Sequence, residues 1–585
     1  MRRENGSTAR GMRLCSDFIA FAVGLVLAGS AANGAQPPVK SDVPVALPPF
    51  IVEEPTKGPP WRYTQAMGYE VLSRCNDATT RRVIETHDRL HQLLAEVLPT
   101  ELQLKLTVPR ALILYDEELQ PAASKEVIAR MLQKPTASAG LDAAEPVGMP
   151  AGRGGLRPVS PVPTFSFLPN LRLWDRDAMT VFMIVRRDDF EDSRLALTFD
   201  YVSYRLKTRV PSLAPWFLSG FLSFFRQTTF ERRELVTEPM DWISSAHTAA
   251  LKSDPKKAPP LLSLRDFLAV ALAPVDAGAT FTPIQLWQAQ SELFVRWGLD
   301  PKGGARKKAF WRFVELTARR TADEALFQEC FGFDFATAEA QLAAYLPEAV
   351  RRTLRFRPQF KKLPPVVLRN ATDGELGRIK GDWERLEIAY VKQHAPELAD
   401  KYTEQARRTL LRAYERGVRD SSLLAVLGLC EVDAGADAAA REYLETAALL
   451  GSLRPRAWYE LARLRFADLR RNAADADGRL TADQAVTVLR PLFSARESEP
   501  PLPEVYELIA DVWTSCVAPP TRGHLGVLDE GVRFFPRRSS LVYRAAELNH
   551  RQGYHAAAAD LIVIGLSGTV DQAMRMKFEA LQRQL

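Results

Sequence analysis

Apolar positions along this chain change period twice. Tyr69 to Arg74 (YEVLSR) alternates apolar and polar as a strand does. Thr79 to Leu98 instead spaces Val83, Leu90, Leu93, Leu94 and Leu98 at the helical period. The apolar runs Leu112–Tyr115 (LILY) and Thr180–Val185 (TVFMIV) predict two further strands. Between those two runs, residues 120–170 are rich in Ala, Pro and Gly without any period, so an insertion loop is expected. From about residue 190 to 350 the pattern is helical. Leu286–Trp297 (LWQAQSELFVRW) and Phe310–Leu316 each carry one apolar face, and Asp334–Leu346 reads as a helix with Asp334 or Thr337 as its cap. Residues 351–380 are basic, then Pro-containing, and read as a connector. The expected fold over 61–350 is therefore α+β, with a mostly helical second half.

The last third repeats itself. Ala406-x3-Leu410-x2-Ala413 recurs as Ala440-x3-Leu444-x2-Ala447, and Gly428 recurs as Ala462, both at an offset of 34 residues. Trp458-x2-Leu461 belongs to the same series. Tyr506–Trp513 with Leu528-x2-Gly531 and Pro536 follows a longer insertion at 472–483, and Ala545-Ala546 with Ala558-x3-Ile562-x2-Gly565 supplies the final unit. Trp383-x2-Leu386-x3-Tyr390 opens the array. Small residues at this spacing let two helices cross closely while large ones fill the layer between neighbouring pairs. Residues 381–566 thus resemble the tetratricopeptide family, which implies an α-helical solenoid, with 567–585 as a capping helix.

A second resemblance lies upstream, in Leu197-Thr198-Phe199-Asp200-Tyr201-Val202-Ser203-Tyr204 followed by Pro215-Trp216-Phe217-Leu218-Ser219-Gly220-Phe221-Leu222. The frame is similar to the gluzincin-type, peptidase MA-like domains of exported bacterial proteins. Those place HExxH on one helix and a Pro-Trp-Leu-x-Glu-Gly helix after a short loop. Gln288-Ala289-Gln290-Ser291 is similar to a further Ala-Gln-Ser helix of such domains. The resemblance implies a zincin-like domain over about 61–350. Zinc hydrolysis of that kind needs two imidazoles one helical turn apart, a Glu to take a proton from bound water, and a third carboxylate ligand. Here Phe199 and Ser203 stand at the two histidine positions, Asp200 at the base and Ser219 at the third ligand. Phenyl offers no lone pair to a metal, neutral hydroxyls are poor zinc ligands, and Asp is one methylene shorter than Glu. These four are degenerate active-site positions. No catalytic residue, metal or cofactor is expected.

Other candidate chemistry changes this picture little. His87 and His91 lie at i,i+4 on the first helix, but Asp88 is not Glu and no third ligand is apparent. His247 is the only histidine near Ser203 or Ser219 in sequence that could serve a serine nucleophile. No GxSxG elbow, phosphate-binding loop or dinucleotide fingerprint occurs. Beyond Cys15, Cys75, Cys330, Cys430 and Cys516 are widely spaced with no CxxC, and sequence alone does not pair them.

Composition then bounds localisation and partners. Arg2, Arg3, Arg10 and Arg13 precede the apolar stretch Phe18–Gly29, and small residues Ser30-Ala31-Ala32 and Gly34-Ala35 follow. Residues 1–35 read as a secretory signal, so an exported, periplasmic or extracellular protein is expected, with 36–60 as a Pro-rich lead-in. No later apolar stretch is long enough for a membrane span. The net charge of +6 falls to +4 without the signal, which is no nucleic-acid footprint in 585 residues. The expected function is an exported, non-catalytic pseudo-peptidase scaffold whose solenoid binds a protein or peptide partner. Two alternatives stay open: a hydrolase of altered, non-zinc chemistry, and a structural component of an envelope assembly.

Overall fold

Strands β1 (Arg62–Ala66) and β2 (Tyr69–Ser73) form a hairpin in which Ala66 pairs with Tyr69. Its two turn residues, Met67 (φ 55°) and Gly68 (φ 71°), both take the left-handed conformation that a two-residue hairpin turn of this hand requires. The computed structural model describes residues 59–99, 110–116, 171–185, 199–207, 209–230, 234–254, 261–270, 281–357, 359–394, 396–472, 479–568 and 571–585. The expected signal, the lead-in through residue 58 and the insertion at 120–170 lie outside these residues.

Helix α1 (Asp77–Val97) follows β2, with the Asn76 side chain accepting from the Thr79 amide at 2.8 Å as its cap. Strands β3 (Arg110–Asp116), β4 (Leu171–Trp174) and β5 (Met179–Val185) complete most of a six-stranded sheet of order β4-β5-β3-β2-β1-β9, in which β9 is Arg369–Asn370. Within it β2, β3 and β5 run parallel, and β1, β4 and β9 pair antiparallel. Val71, Leu72, Leu112, Ile113 and Leu114 are buried, so adjacent residues on β2 and β3 cover both faces.

A helical layer follows: α2 (Phe199–Lys207), α3 (Pro215–Arg226), α4 (Ser245–Ser253), α5 (Leu264–Ala269), α6 (Pro283–Leu299), α7 (Ala305–Thr317), α8 (Glu324–Phe331) and α9 (Phe335–Ala349). Asp334 caps α9 by accepting from the Thr337 amide at 2.8 Å, the first of the two caps the sequence offered. A small sheet of β6 (Thr228–Phe230), β7 (Leu235–Thr237) and β8 (Leu354–Phe356) flanks the layer.

The expected connector at 351–380 is not one. It supplies β8, the sheet-closing strand β9 (Arg369–Asn370) and the start of α10 (Asp373–His394). Strands of two or three residues show no alternation to read; their pairing partners define them. Arg62 fixes β9 by donating to the Asn370 side chain at 2.5 Å and to the Leu368 carbonyl at 3.0 Å.

Beyond this lie stacked helix pairs: α10 with α11 (Ala399–Glu415), α12 (Ser421–Ala434) with α13 (Asp437–Leu450), and α14 (Pro455–Asn472) with α15 (Ala482–Arg496). Next come α16 (Pro503–Ser515) with α17 (Arg522–Phe534), α18 (Ser539–Arg551) with α19 (His555–Gly568), and α20 (Gln572–Gln582). This is a tetratricopeptide-like array. Helix α15 begins as the insertion expected at 472–483 ends, in a stretch the repeat pattern did not cover; its Pro491 and thinner small-residue pattern hide the period. The repeated small residues act as anticipated. A Cβ on Gly428 of α12 would stand 2.5 Å from Leu444 Cγ of α13, closer than real contacts allow.

First helices pack on one another along the stack, whereas second helices stand further apart, so the array curves with its first helices on the inner face. Helix α10 faces two ways. Ile379, Trp383, Leu386, Tyr390 and Val391 pack with Tyr63, Leu72 and Ile113 of the large sheet, while α11 and α12 cover the remaining surface. Trp383, Leu386 and Tyr390, taken from the sequence as the first repeat's core, therefore bind the array to the sheet. No helix among the described residues is long and apolar enough to cross a membrane.

Candidate functional site

The segment expected from the sequence to resemble a peptidase site folds, over its described residues, as two packed helices, α2 and α3. Pro215 occupies the first turn of α3, where its missing amide hydrogen is no loss. Trp216 follows, 1% exposed, stacked on Phe313 at 5.8 Å and edge-on to Phe294 at 5.0 Å and Phe310 at 6.0 Å. Gly220 lies against α6: a Cβ there would stand 2.1 Å from the Ser291 carbonyl oxygen. Glycine here sets how closely α3 approaches the Gln288–Ser291 stretch. Gln290, fully buried, holds Leu262, two residues ahead of α5, by bonding both its amide (2.8 Å) and its carbonyl (2.9 Å).

Of the four degenerate positions, Ser203 is buried on α2 and Ser219 is partly buried on α3. The side chains of Phe199 and Asp200 lie outside the described residues, although both backbones belong to α2. Among the described residues no three His, Cys, Asp or Glu side chains gather as a metal site would need. Cys75, Cys330, Cys430 and Cys516 are all free thiols.

His87 and His91 lie with ring centroids 5.2 Å apart, edge-on to Tyr69, and His91 Nδ1 sits 2.8 Å from the His87 carbonyl. Arg110 covers the opposite side of Tyr69 at 4.6 Å from its ring. Burial pushes His91 down to about 4; the hydrogen bond to the His87 carbonyl opposes this, and the nearby Arg205 and Arg110 charges add to it. His91 is thus neutral at physiological pH and packs as an aromatic. Ser244 caps α4 by accepting from the His247 amide; His247 Nδ1 lies 2.7 Å from Ser244 Oγ, and its ring is edge-on to Phe281.

The densest polar constellation went unseen in the sequence. Asp175 and Asp177, in the turn between β4 and β5, meet Asp382 and Arg385 of α10, Asp433 of α12, and Arg454 and Arg456 at the start of α14. The guanidinium of Arg385, 1% exposed, donates to Asp382 (2.8 Å), Asp433 (2.7 Å) and Asp175 (2.8 Å), using each of its three nitrogens. Arg454 and Arg456 reach the same Asp175 oxygen at 2.8 and 2.5 Å. Burial alone would raise the Asp175 carboxyl, but Arg456, Arg385 and Arg454 together hold it well below the usual carboxylate range. Asp177 goes the other way: burial dominates over Arg454, and the neighbouring Asp175 charge raises it further. The available signals were Asp-Arg-Asp at a strand turn, Arg-Pro-Arg opening a helix, and Asp382-x2-Arg385 on one helix face.

Glu387, one turn along α10 from the buried Glu384, is a half-buried acid. Burial and then the Glu384 charge push it up to about 8, with Lys380 and a bond to Trp383 opposing them. The folded chain therefore holds a proton there that the unfolded chain releases near the usual carboxylate value. The stability linked to that proton is present at low pH and is lost as pH rises through about 8. Glu387→Gln is expected to melt above the wild type by a margin that widens between pH 5 and 8.5. Thermal melts followed by circular dichroism at both pH values check this, and an equal margin at the two would contradict it.

No protein-family model matches the chain, and no curated protein matches it. Solved structures to which the array is similar include YrrB, described as a TPR protein with an unusual peptide-binding site, at 15% identity over 37% of this chain and 100% of that one, TM-score 0.25. TTC0263, a thermophilic TPR protein in Thermus thermophilus, matches at 16% identity over 34% of this chain and 99% of that one, TM-score 0.23. MamA matches at 13% identity over 32% and 96%, TM-score 0.23. Likenesses this distant add no weight; the helix pairs themselves define the array.

Proposed function

We propose that the chain is an exported, non-catalytic scaffold, in which a peptidase-like frame without zinc chemistry carries a repeat array that binds a protein or peptide partner. The observation that carries the binding half is the stack of helix pairs, whose first helices pack on one another along one inner face, with α10 of that face against the large sheet. Such faces suit extended or helical peptides and need no cofactor. The non-catalytic half is supported by the donors at the zinc positions. Phe199 offers no lone pair, and the hydroxyls of Ser203 and Ser219 replace an imidazole and a carboxylate, so the residues present do not fit the metal. The buried aromatic packing around Trp216 and the close seat of Gly220 on α6 support a frame kept for its shape. Export rests on the Arg-rich start and the apolar Phe18–Gly29 stretch.

Two measurements on the full chain check this. Purified from the envelope, the protein is expected to start near residue 33 or 36, to hold only substoichiometric zinc, and to cleave no peptide. Stoichiometric zinc together with peptidase activity lost on chelation would overturn the non-catalytic reading. Used as bait in an envelope extract, the chain is expected to enrich a protein partner that an unrelated exported protein does not, and failure to do so would sink the binding reading.

A further inference from the structure

In an array of helix pairs each pair touches mainly its neighbours, so nothing fixes the distance between its two ends. Here the large sheet and the helical layer meet the array at three places spaced along it. At the first pair, the apolar face of α10 packs on Tyr63, Leu72 and Ile113 of the sheet. At the third and fourth pairs the contact is the β4–β5 turn. Asp175 sits in the buried network of Arg385, Arg454 and Arg456, which Asp382, Asp433 and Glu460 also share. Arg176 lies over the Tyr459 ring of α14 at 5.5 Å and pairs with Glu504 of α16 at 3.5 Å. Asp177 accepts from the Arg456 amide, in the first turn of α14, at 2.9 Å.

The third place is at the fifth pair. Arg537, two residues ahead of α18, donates to the Ser212 carbonyl at 2.7 Å and to the Thr317 carbonyl at 2.8 Å. Thr317 ends α7, so its carbonyl is among those a helix leaves without an internal partner, and a cation suits that negative end. Ser212 lies between α2 and α3, and Arg209 ties the same stretch to α7 by donating to Glu315 at 2.7 Å. Val210 beside it packs against the apolar core that runs from α14 to α20. The second and third places use only the N-terminal ends of the array's first helices, or residues just ahead of them. Further along, Asp511 of α16 pairs instead with Arg544 of α18 at 3.4 Å.

We propose that the sheet and the helical layer are an internal brace for the array, holding it from the first pair to the fifth at one curvature. The last pairs and the α2–α3 region then open together, because each supports the other through Arg176 and Arg537. Contacts between pairs that are not neighbours are what a free solenoid lacks, and the brace supplies them. This goes beyond the binding reading and does not depend on what the array binds.

Hydrogen exchange of the full chain, followed by mass spectrometry, tests the brace. R176M/R537M keeps most of the bulk of both side chains and removes their polar bonds. R496M, which breaks the Arg496–Glu530 pair inside the array, is the control. In the double variant, exchange is expected to quicken roughly fivefold or more throughout α16–α20 and also in α3 and α7, with α11–α13 unchanged. R496M is expected to leave α3 and α7 at the wild-type rate. R176M alone, whose side chain is 44% exposed in the wild type, is expected to show the same pattern at smaller amplitude. It decides the matter if the double variant does not fold. Faster exchange confined to peptides around Arg176, Ser212, Thr317 and Arg537 overturns the brace, since the contacts are then only local. Unchanged exchange overturns it as well. So does equal acceleration in α11–α13, which is general destabilisation. Partner capture is a separate measurement, so either reading can fail while the other stands.

Discussion

Trp216→Ala is expected to destabilise the chain by ~3–5 kcal/mol, the range for removing a large aromatic from a packed core. Trp216 is 1% exposed and touches Phe217, Phe267, Phe294, Phe310 and Phe313, which come from four helices of the helical layer. No single neighbour can move to fill the void, because each ring is itself held by others: Phe313 by Phe327 at 5.4 Å, Phe294 by Trp297 at 5.5 Å. The indole nitrogen has no hydrogen-bond partner among the described residues. Trp216→Phe therefore sacrifices no hydrogen bond, and its loss should come from volume alone and be well below that of the alanine variant. Urea denaturation of the three chains checks the order. Equal losses for Phe and Ala would show that the indole nitrogen, not the packing, matters at this position.

What could be read from sequence here follows the range of the interactions. Helical packing writes itself locally: Ala406, Leu410, Ala413, Ala440, Leu444 and Ala447 are all buried where the repeat spacing placed them. Strands β2, β3 and β5 and helices α1, α6, α7 and α9 fall within a few residues of the runs that predicted them, because each covers enough periods to be counted. Strand β9 was invisible, since two residues carry no period and its pairing with β1 spans most of the chain. The acidic turn and its arginines were invisible for the same reason: Asp175 lies 210 residues from Arg385 and 279 from Arg454. A carboxylate on a turn and an arginine on a helix both look like solvated surface until the fold brings them together. At the four positions the resemblance singled out, sequence gives only the residue types. The buried setting of Ser203 and the distance at which α3 rides on α6 came only with the structure.

The second large effect is expected at Arg385. Arg385→Met should destabilise the chain by ~3–5 kcal/mol, the range for removing one partner from a buried ion pair. The variant conserves volume and apolar contact, so what is lost is the charge. Asp382, Asp433 and Asp175 then keep only Arg454 and Arg456. Two of the three carboxylates sit on α10 and α12, inside the array, so lifting the acidic turn away does not relieve them. Arg385→Lys should recover only part of the loss, because an ammonium is a single point that cannot bond three carboxylates in fixed directions. The pH profile offers a second readout with a definite sign. Burial would raise Asp175, yet the three guanidiniums depress it, so its contribution is present above the unfolded value and fades as pH falls through the depressed folded one. Removing Arg385 weakens that depression, so the acid-side decline in melting temperature should begin at higher pH in the Met variant than in the wild type. Melts between pH 3 and 7 decide the matter. A loss below ~1 kcal/mol with an unchanged acid limb would mean that desolvation cancels the attraction, and that the network fixes how the turn docks without holding the two helices together.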